Sequence, residues 1–222
     1  MNAGLHVAEG VLRYHAGARH GVSPFEVEIP PFEVGVGEVC TLVGGNGSGK
    51  STLLAHLGGI DARTRRAQGV ESTWDGRSSS TACSFLAASP MLVPGHAAED
   101  YLALVVPSGR PDDREVVAAL ERVGLRELRR ECTDAFSSGQ RKRLGLARVL
   151  LQAEPLILLD EARANLDEQG RDLVDQLMHE WLDQGRTIVM ATHHDSDWQR
   201  AACKLTFERV GHTAGVRVEI AA

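Results

Sequence analysis

Apolar and polar residues alternate from Leu5 to Tyr14 and again from Phe25 to Ile29, the two-residue period of half-buried antiparallel strands. His15 to Ser23 forms the loop between them, and Pro30-Pro31 ends the second. The apolar run Val39-Cys40-Thr41-Leu42-Val43 reads as a strand, and Leu156 to Leu159 with Thr187 to Ala191 read as strands buried on both faces. Val70 to Trp74 and Cys83 to Ala87 are two short strands separated by the Asp75-Gly76 turn and a serine-rich link. From Pro90 to Ala135 the period lengthens. Ala97 to Val105 and Asp112 to Val123 are helical, the latter with Val116, Val117, Leu120 and Val123 on one stripe. Helix returns at Ser138 to Leu151, and a longer one carries Leu173, Val174, Leu177, Met178, Trp181 and Leu182 on one face. A short helix over Ser196 to Ala202 and a pairing of Leu205 to Phe207 with Val216 to Ile220 close the chain. Strands alternating with helices imply an α/β fold with a mostly parallel sheet flanked by helices. An antiparallel β part precedes it and a helical insert over 90–136 interrupts it, so 1–89 and 137–222 form the rest of a single 1–222 domain.

The first apolar strand runs directly into Gly44-Gly45-Asn46-Gly47-Ser48-Gly49-Lys50-Ser51-Thr52, which fits the phosphate-binding pattern G-x-x-x-x-G-K-[ST]. A strand, a glycine loop and a helix turn consecutive backbone N–H groups toward one point, where the helix dipole adds positive potential for a polyphosphate. Four glycines let the backbone approach that closely. Lys50 reaches the β- and γ-phosphates, Ser51 offers its hydroxyl to Mg²⁺, and Leu53-Leu54 bury the following helix. With 21 Arg against three Lys, a lysine at this position is not the default cation. The loop points to a P-loop nucleotide-binding fold (P-loop NTPase class), and the motif alone does not name the enzyme class.

With 222 residues and 43 % hydrophobic content the chain can bury a full core. A net charge of −6 argues against a protein that coats nucleic acid. The basic clusters Arg63 to Arg66 and Arg141-Lys142-Arg143 read as solvated helix faces. Cys40, Cys83, Cys132 and Cys203 lack metal-ligand spacing and suit reduced thiols in the cytoplasm. No stretch reads as a signal peptide or approaches the length of a membrane span, so any membrane role runs through a partner.

The strand Leu156 to Leu159 ends in Asp160-Glu161. Two acids there can mark a strand leaving the core. At the carboxyl end of a parallel strand, downstream of a phosphate loop, Asp160 can instead hold Mg²⁺ and Glu161 can polarise an attacking water. Phe136-Ser137-Ser138-Gly139-Gln140, followed by Arg141 to Arg148, resembles the signature sequence of ATP-binding cassette (ABC) ATPases. It stands shortly before Leu156 to Glu161, which resembles that family's second nucleotide motif. Asn165-Leu166-Asp167 is similar to its D-loop, and Thr192-His193 falls where the family places its switch histidine. Five motifs in the family's order cover nearly the whole chain.

The resemblance implies an ABC ATPase fold, ATP and Mg²⁺ as ligands, and two cassettes head to tail, as homodimer or heterodimer. Ser137, Ser138, Gly139, Gln140 and Asp167 of one cassette then complete the other's site. A second helix N-terminus there can cap a γ-phosphate, although a serine before a helix also serves as an ordinary N-cap. His193 would contact the γ-phosphate, while His194 and Asp195 cap the next helix. Tyr14 matches the aromatic on which the family stacks adenine, and ordinary strand packing accounts for a tyrosine equally. The resemblance further implies separate integral membrane subunits and a peripheral place at the inner face of the cell membrane, with a lean toward small bacterial export systems. The alternative is a soluble or regulatory ABC ATPase that binds ATP and hydrolyses it slowly. Four positions depart from the pattern: Ala88 where the family carries a glutamine that helps hold Mg²⁺, Phe136 for leucine, Ser138 for glycine and Ala162 for proline. An alanine offers no side-chain oxygen, so slow basal turnover is expected.

Overall fold

The structure is a computed structural model that describes residues 4–14, 25–60, 70–106, 112–193, 201–211 and 213–220. Its largest layer is an eight-stranded sheet. Strand β5 (Val39–Gly44) lies at its centre, parallel to β10 (Thr187–Thr192) on one side and to β11 (Cys203–Val210) on the other. Beyond β10 come β9 (Leu156–Asp160) and β8 (Cys83–Leu86), both parallel to it. Beyond β11 come β12 (Thr213–Ile220), β3 (Phe25–Ile29) and β2 (Gly10–Tyr14), which alternate in direction less regularly.

The apolar runs are continuous because each central strand feeds two cores. Ile157, Leu159, Ile188 and Met190 face the core built on α4 (Ser138–Gln152) and α5 (Glu168–Asp183). Leu158, Val189, Cys40 and Leu42 face the other, with Leu53, Leu54 and Leu57 of α1 (Lys50–Leu57). That two-residue alternation of destination is what a sheet covered on both sides requires. Helices α2 (Ala98–Val105) and α3 (Asp113–Arg122) join the α4 side through Tyr101, Leu102, Val116 and Leu120. Asp112 starts α3 with a capping box shared with Glu115, and Val117 is only half-buried.

Two parts of the β structure differ from the sequence expectation. Leu5 to Tyr14 is not one strand. Exposed Ala8 and Glu9 divide it into β1 (Gly4–Val7) and β2, which enter different sheets, and Ala8 N–H leaves the ladder to reach the Glu71 carbonyl at 2.9 Å. A strand unforeseen in the sequence, β4 (Phe32–Gly35), follows the prolines and pairs antiparallel with β1. The Asp75-Gly76 turn closes a hairpin of β6 (Ser72–Trp74) and β7 (Arg77–Ser78), and the serine-rich link is a short 3-10 turn over Ser79–Thr81. Strands β4, β1, β6 and β7 form a second, antiparallel sheet. The loop His15 to Ser23, the cluster Arg63 to Arg66, His194-Asp195 and most of the helix expected over Ser196 to Ala202 lie outside the described residues.

Candidate nucleotide site

The phosphate loop leaves the carboxyl end of β5 and enters α1 through Gly49, whose φ of 109° is a left-handed conformation that favours glycine. A Cβ at Gly44, φ 147°, would stand 2.6 Å from the Phe207 carbonyl oxygen of β11. The loop therefore lies flush against the neighbouring strand. Lys50 is 5 % exposed, and its Nζ donates to the Gly44 and Gly45 carbonyls at 2.7 and 3.0 Å. Burial lowers its ammonium below the ordinary lysine value, and the carboxylates of Glu161 and Asp160 oppose that shift. Within the loop, Ser48 Oγ is buried and has no hydrogen-bond partner among the described residues.

Strand β9 delivers Asp160 and Glu161 to the same edge. Ser51 Oγ donates to Asp160 Oδ1 at 3.1 Å. Burial raises the Asp160 acid above the usual carboxylate range, and the bonds from Ser51 and the Ala88 N–H pull it back. A buried carboxylate and a hydroxyl in contact form the hard-oxygen donor pair that Mg²⁺ prefers, so these two residues fit that ion. Glu161 has φ 47°, a left-handed conformation that is strained for a non-glycine residue. Its N–H donates to the Ala191 carbonyl at 3.1 Å, and its Oε1 is 2.5 Å from His193 Nε2 at the end of β10.

A cleft of about 320 Å³ joins these groups, with Lys50, Ser51, Thr52, Glu161 and His193 among its walls. Two further walls, Phe25 and Arg209, went unnoticed in the sequence. The Arg209 guanidinium lies 5.0 Å from the centre of the Phe25 ring, and its Nη1 donates to the Gly47 carbonyl at 3.3 Å. Tyr14 is the register partner of Phe25 in the β2–β3 pair, and its side chain lies outside the described residues.

The signature residues lie elsewhere. None of Ser137, Ser138, Gly139 and Gln140 lines the cleft. Ser137 is the N-cap of α4: its Oγ accepts from the Gln140 N–H at 3.2 Å, while Gln140 Oε1 accepts from the Ser137 N–H at 2.8 Å. Ser137 and Ser138 are exposed, and Gly139 borders the Asn165 carbonyl. Asp167 caps α5 through the Gly170 N–H and receives Arg143 at 3.0 Å; these bonds, Gly170 first, hold its carboxyl below the usual range.

The cluster Arg141-Lys142-Arg143 is not a solvated face as a whole. Lys142 is 1 % exposed, and burial lowers its ammonium from 10.5 to about 8, against the pull of Asp160 and Glu161. The scarcity of lysine, which singled out Lys50, was the available signal for Lys142 as well.

A central parallel sheet, a glycine loop entering a helix and two acids at the end of β9, one strand removed from β5, define a P-loop nucleotide-binding protein of the α/β class. The ABC transporter family profile matches residues 29–164, which include all of the phosphate loop, the signature and the second nucleotide motif. The chain belongs to this family and is an ABC ATPase. It is 33 % identical over 187 residues to the lipoprotein-releasing system ATP-binding protein LolD of Alcanivorax borkumensis, covering 79 % of this chain and 82 % of the relative. It is 36 % identical over 172 residues to the cytochrome c biogenesis ATP-binding export protein CcmA of Pseudomonas putida, covering 73 % and 80 %. In fold it resembles the ADP- and phosphate-bound dimer of the ATP-binding cassette MJ0796, with TM-score 0.74 and 20 % identity over 97 % of this chain and 98 % of that one. No helix among the described residues is long and apolar enough to cross a membrane.

Proposed function

We propose that this chain energises a transporter by closing on a second cassette around ATP and opening after hydrolysis, the movement passing through the helical segment 90–136 to separate membrane subunits. One observation carries the reading: the signature end of α4 is exposed and lines no part of the cleft that holds Lys50 and Ser51. Two helix N-termini suited to a phosphate thus stand apart in one chain, and a second copy or a close relative can bring them together. The relatives named for lipoprotein release and for export in cytochrome c biogenesis support the transport assignment.

In this reading the γ-phosphate lies against Lys50 and the N–H groups of the loop. Glu161 takes a proton from water as its oxygen bonds to the γ-phosphorus and the bond to the ADP oxygen breaks. His193 orients the Glu161 carboxylate and meets the γ-phosphate. Ser51 and Asp160 would hold Mg²⁺, which when bound would supply neutralisation of the phosphate charge. Phe25 and Arg209 offer a flat apolar and cationic surface for the base.

Glu161→Gln protein, expected to turn over slowly, is expected to sediment as a dimer with saturating Mg-ATP and as a monomer with Mg-ADP. A monomer under both conditions, including beside the membrane subunits, overturns the reading. Ala88→Gln, which adds a side-chain oxygen near Asp160, is expected to raise basal ATP turnover severalfold; an unchanged or lower rate removes Ala88 as a cause of slow hydrolysis.

A further inference from the structure

Lys142 is the most enclosed of the charged side chains buried among the described residues. From α4 its ammonium reaches three backbone oxygens: Ala88 at 2.7 Å, Glu161 at 3.1 Å and Ala87 at 3.2 Å. An ammonium has three N–H donors, so each finds an acceptor. The acceptors come from two segments, the turn after β8 and the turn after β9. Lys142 thus fastens together two stretches of chain that meet at the nucleotide site.

The second segment is the one that ends in the site, because Glu161 directly follows Asp160 at the end of β9. The chain of contacts runs from Lys142 through the Glu161 carbonyl to the neighbouring Asp160, which itself receives Ser51 Oγ. We propose that Lys142 is a positioning residue: by tying the Ala87 and Ala88 carbonyls to that of Glu161 it fixes the backbone at the end of β9 and, with it, the carboxylate of Asp160. The inference rests on reading Ser51 and Asp160 as the Mg²⁺ donors. An apolar side chain of the same length would fill the volume without desolvating a charge.

The test compares Lys142→Met, which keeps the length and loses the donors, with Lys142→Arg, which keeps charge and donors. Binding of a fluorescent ATP analogue to the full chain is titrated with and without Mg²⁺, beside kcat and KM for ATP. In Lys142→Met the Mg²⁺ needed for half-maximal tightening is expected to rise about tenfold, as for loss of an outer partner of a metal ligand. Mg²⁺-free affinity stays within about twofold of wild type, since that variant leaves the phosphate loop untouched. Lys142→Arg restores most of the Mg²⁺ response. An unchanged Mg²⁺ requirement in Lys142→Met overturns the proposal. Should that variant fail to fold, Lys142→Gln carries the test under the same criterion, with an intermediate rise expected. Asp160→Asn separates the two readings. If it keeps the wild-type Mg²⁺ response, the site reading itself fails; if it loses the response while Lys142→Met keeps it, only the role of Lys142 fails.

Discussion

Glu161→Gln protein is expected to hydrolyse ATP about a hundredfold to ten-thousandfold more slowly than wild type, the range over which a positioned base contributes. Nucleotide affinity should stay close to wild type, because Lys50 and the loop amides, proposed above to hold phosphate, are unchanged by it. The substitution is a clean one for structural reasons. Glu161 is fixed by its backbone: its N–H is on the Ala191 carbonyl, and its own carbonyl accepts from Lys142 and from the Ala164 N–H. None of these contacts involves the carboxylate. Glutamine has the same length and can still bond His193 Nε2, which stands 2.5 Å from Oε1. What it lacks is an oxygen basic enough to take a proton from water. The left-handed φ of 47° is equally awkward for either residue, so the strain is preserved. Single-turnover hydrolysis, with a thermal melt to show the fold intact, checks the expectation. A rate within about threefold of wild type would remove Glu161 from the role of base.

Contiguity decided how much of this could be read from the sequence. The phosphate loop is nine consecutive residues on one strand and one helix, so its chemistry and its context appear together. Asp160 and Glu161 were legible for a related reason: four apolar residues before them mark where a buried strand ends, and ligands bind at such ends. The division of Leu5 to Tyr14 was not legible, because alternation continues across Ala8-Glu9 and only the hydrogen-bond partners change, from one sheet to another. Strand β4 had its signal in Phe32-Glu33-Val34, whose buried, exposed, buried pattern follows directly on two prolines that read as a stop. Lys142 illustrates a different limit. Neighbouring arginines give it the look of a solvent-facing cluster, and helical position alone separates it from them. Arg141 and Arg143 point along the flanks of α4 toward Phe136, Asp134, Val123 and Asp167, while Lys142 points inward to the turns after β8 and β9. Phe25 and Arg209 meet over 184 residues of sequence, at a distance no local pattern spans.

Gly44→Ala is expected to destabilise the chain by about 4 kcal/mol, lowering Tm by about 10 °C for a protein of this length. Gly45→Ala, one residue on, should leave Tm within about 2 °C, as most open positions do. The contrast follows from the two backbones. Gly44 has φ 147°, where an L side chain is strained, and an added Cβ would stand 2.6 Å from the Phe207 carbonyl oxygen. That oxygen belongs to β11 at the rung where Phe207 and Gly44 are register partners, so relief requires the two strands to part. A flexible side chain could swing aside; a carbonyl within a strand cannot. At Gly45 a Cβ meets nothing within 4 Å. The strained position is also the one that serves the site, since the Gly44 carbonyl accepts from Lys50 Nζ at 2.7 Å. Moving that carbonyl displaces the ammonium proposed to meet the phosphates, so Gly44→Ala should weaken ATP binding at least tenfold even below its melting temperature, where about 1.4 kcal/mol of lost contact suffices. Thermal melts and nucleotide titrations of the two variants side by side decide the matter. Equal melting temperatures for both would mean that the phosphate loop does not lie against β11 as described.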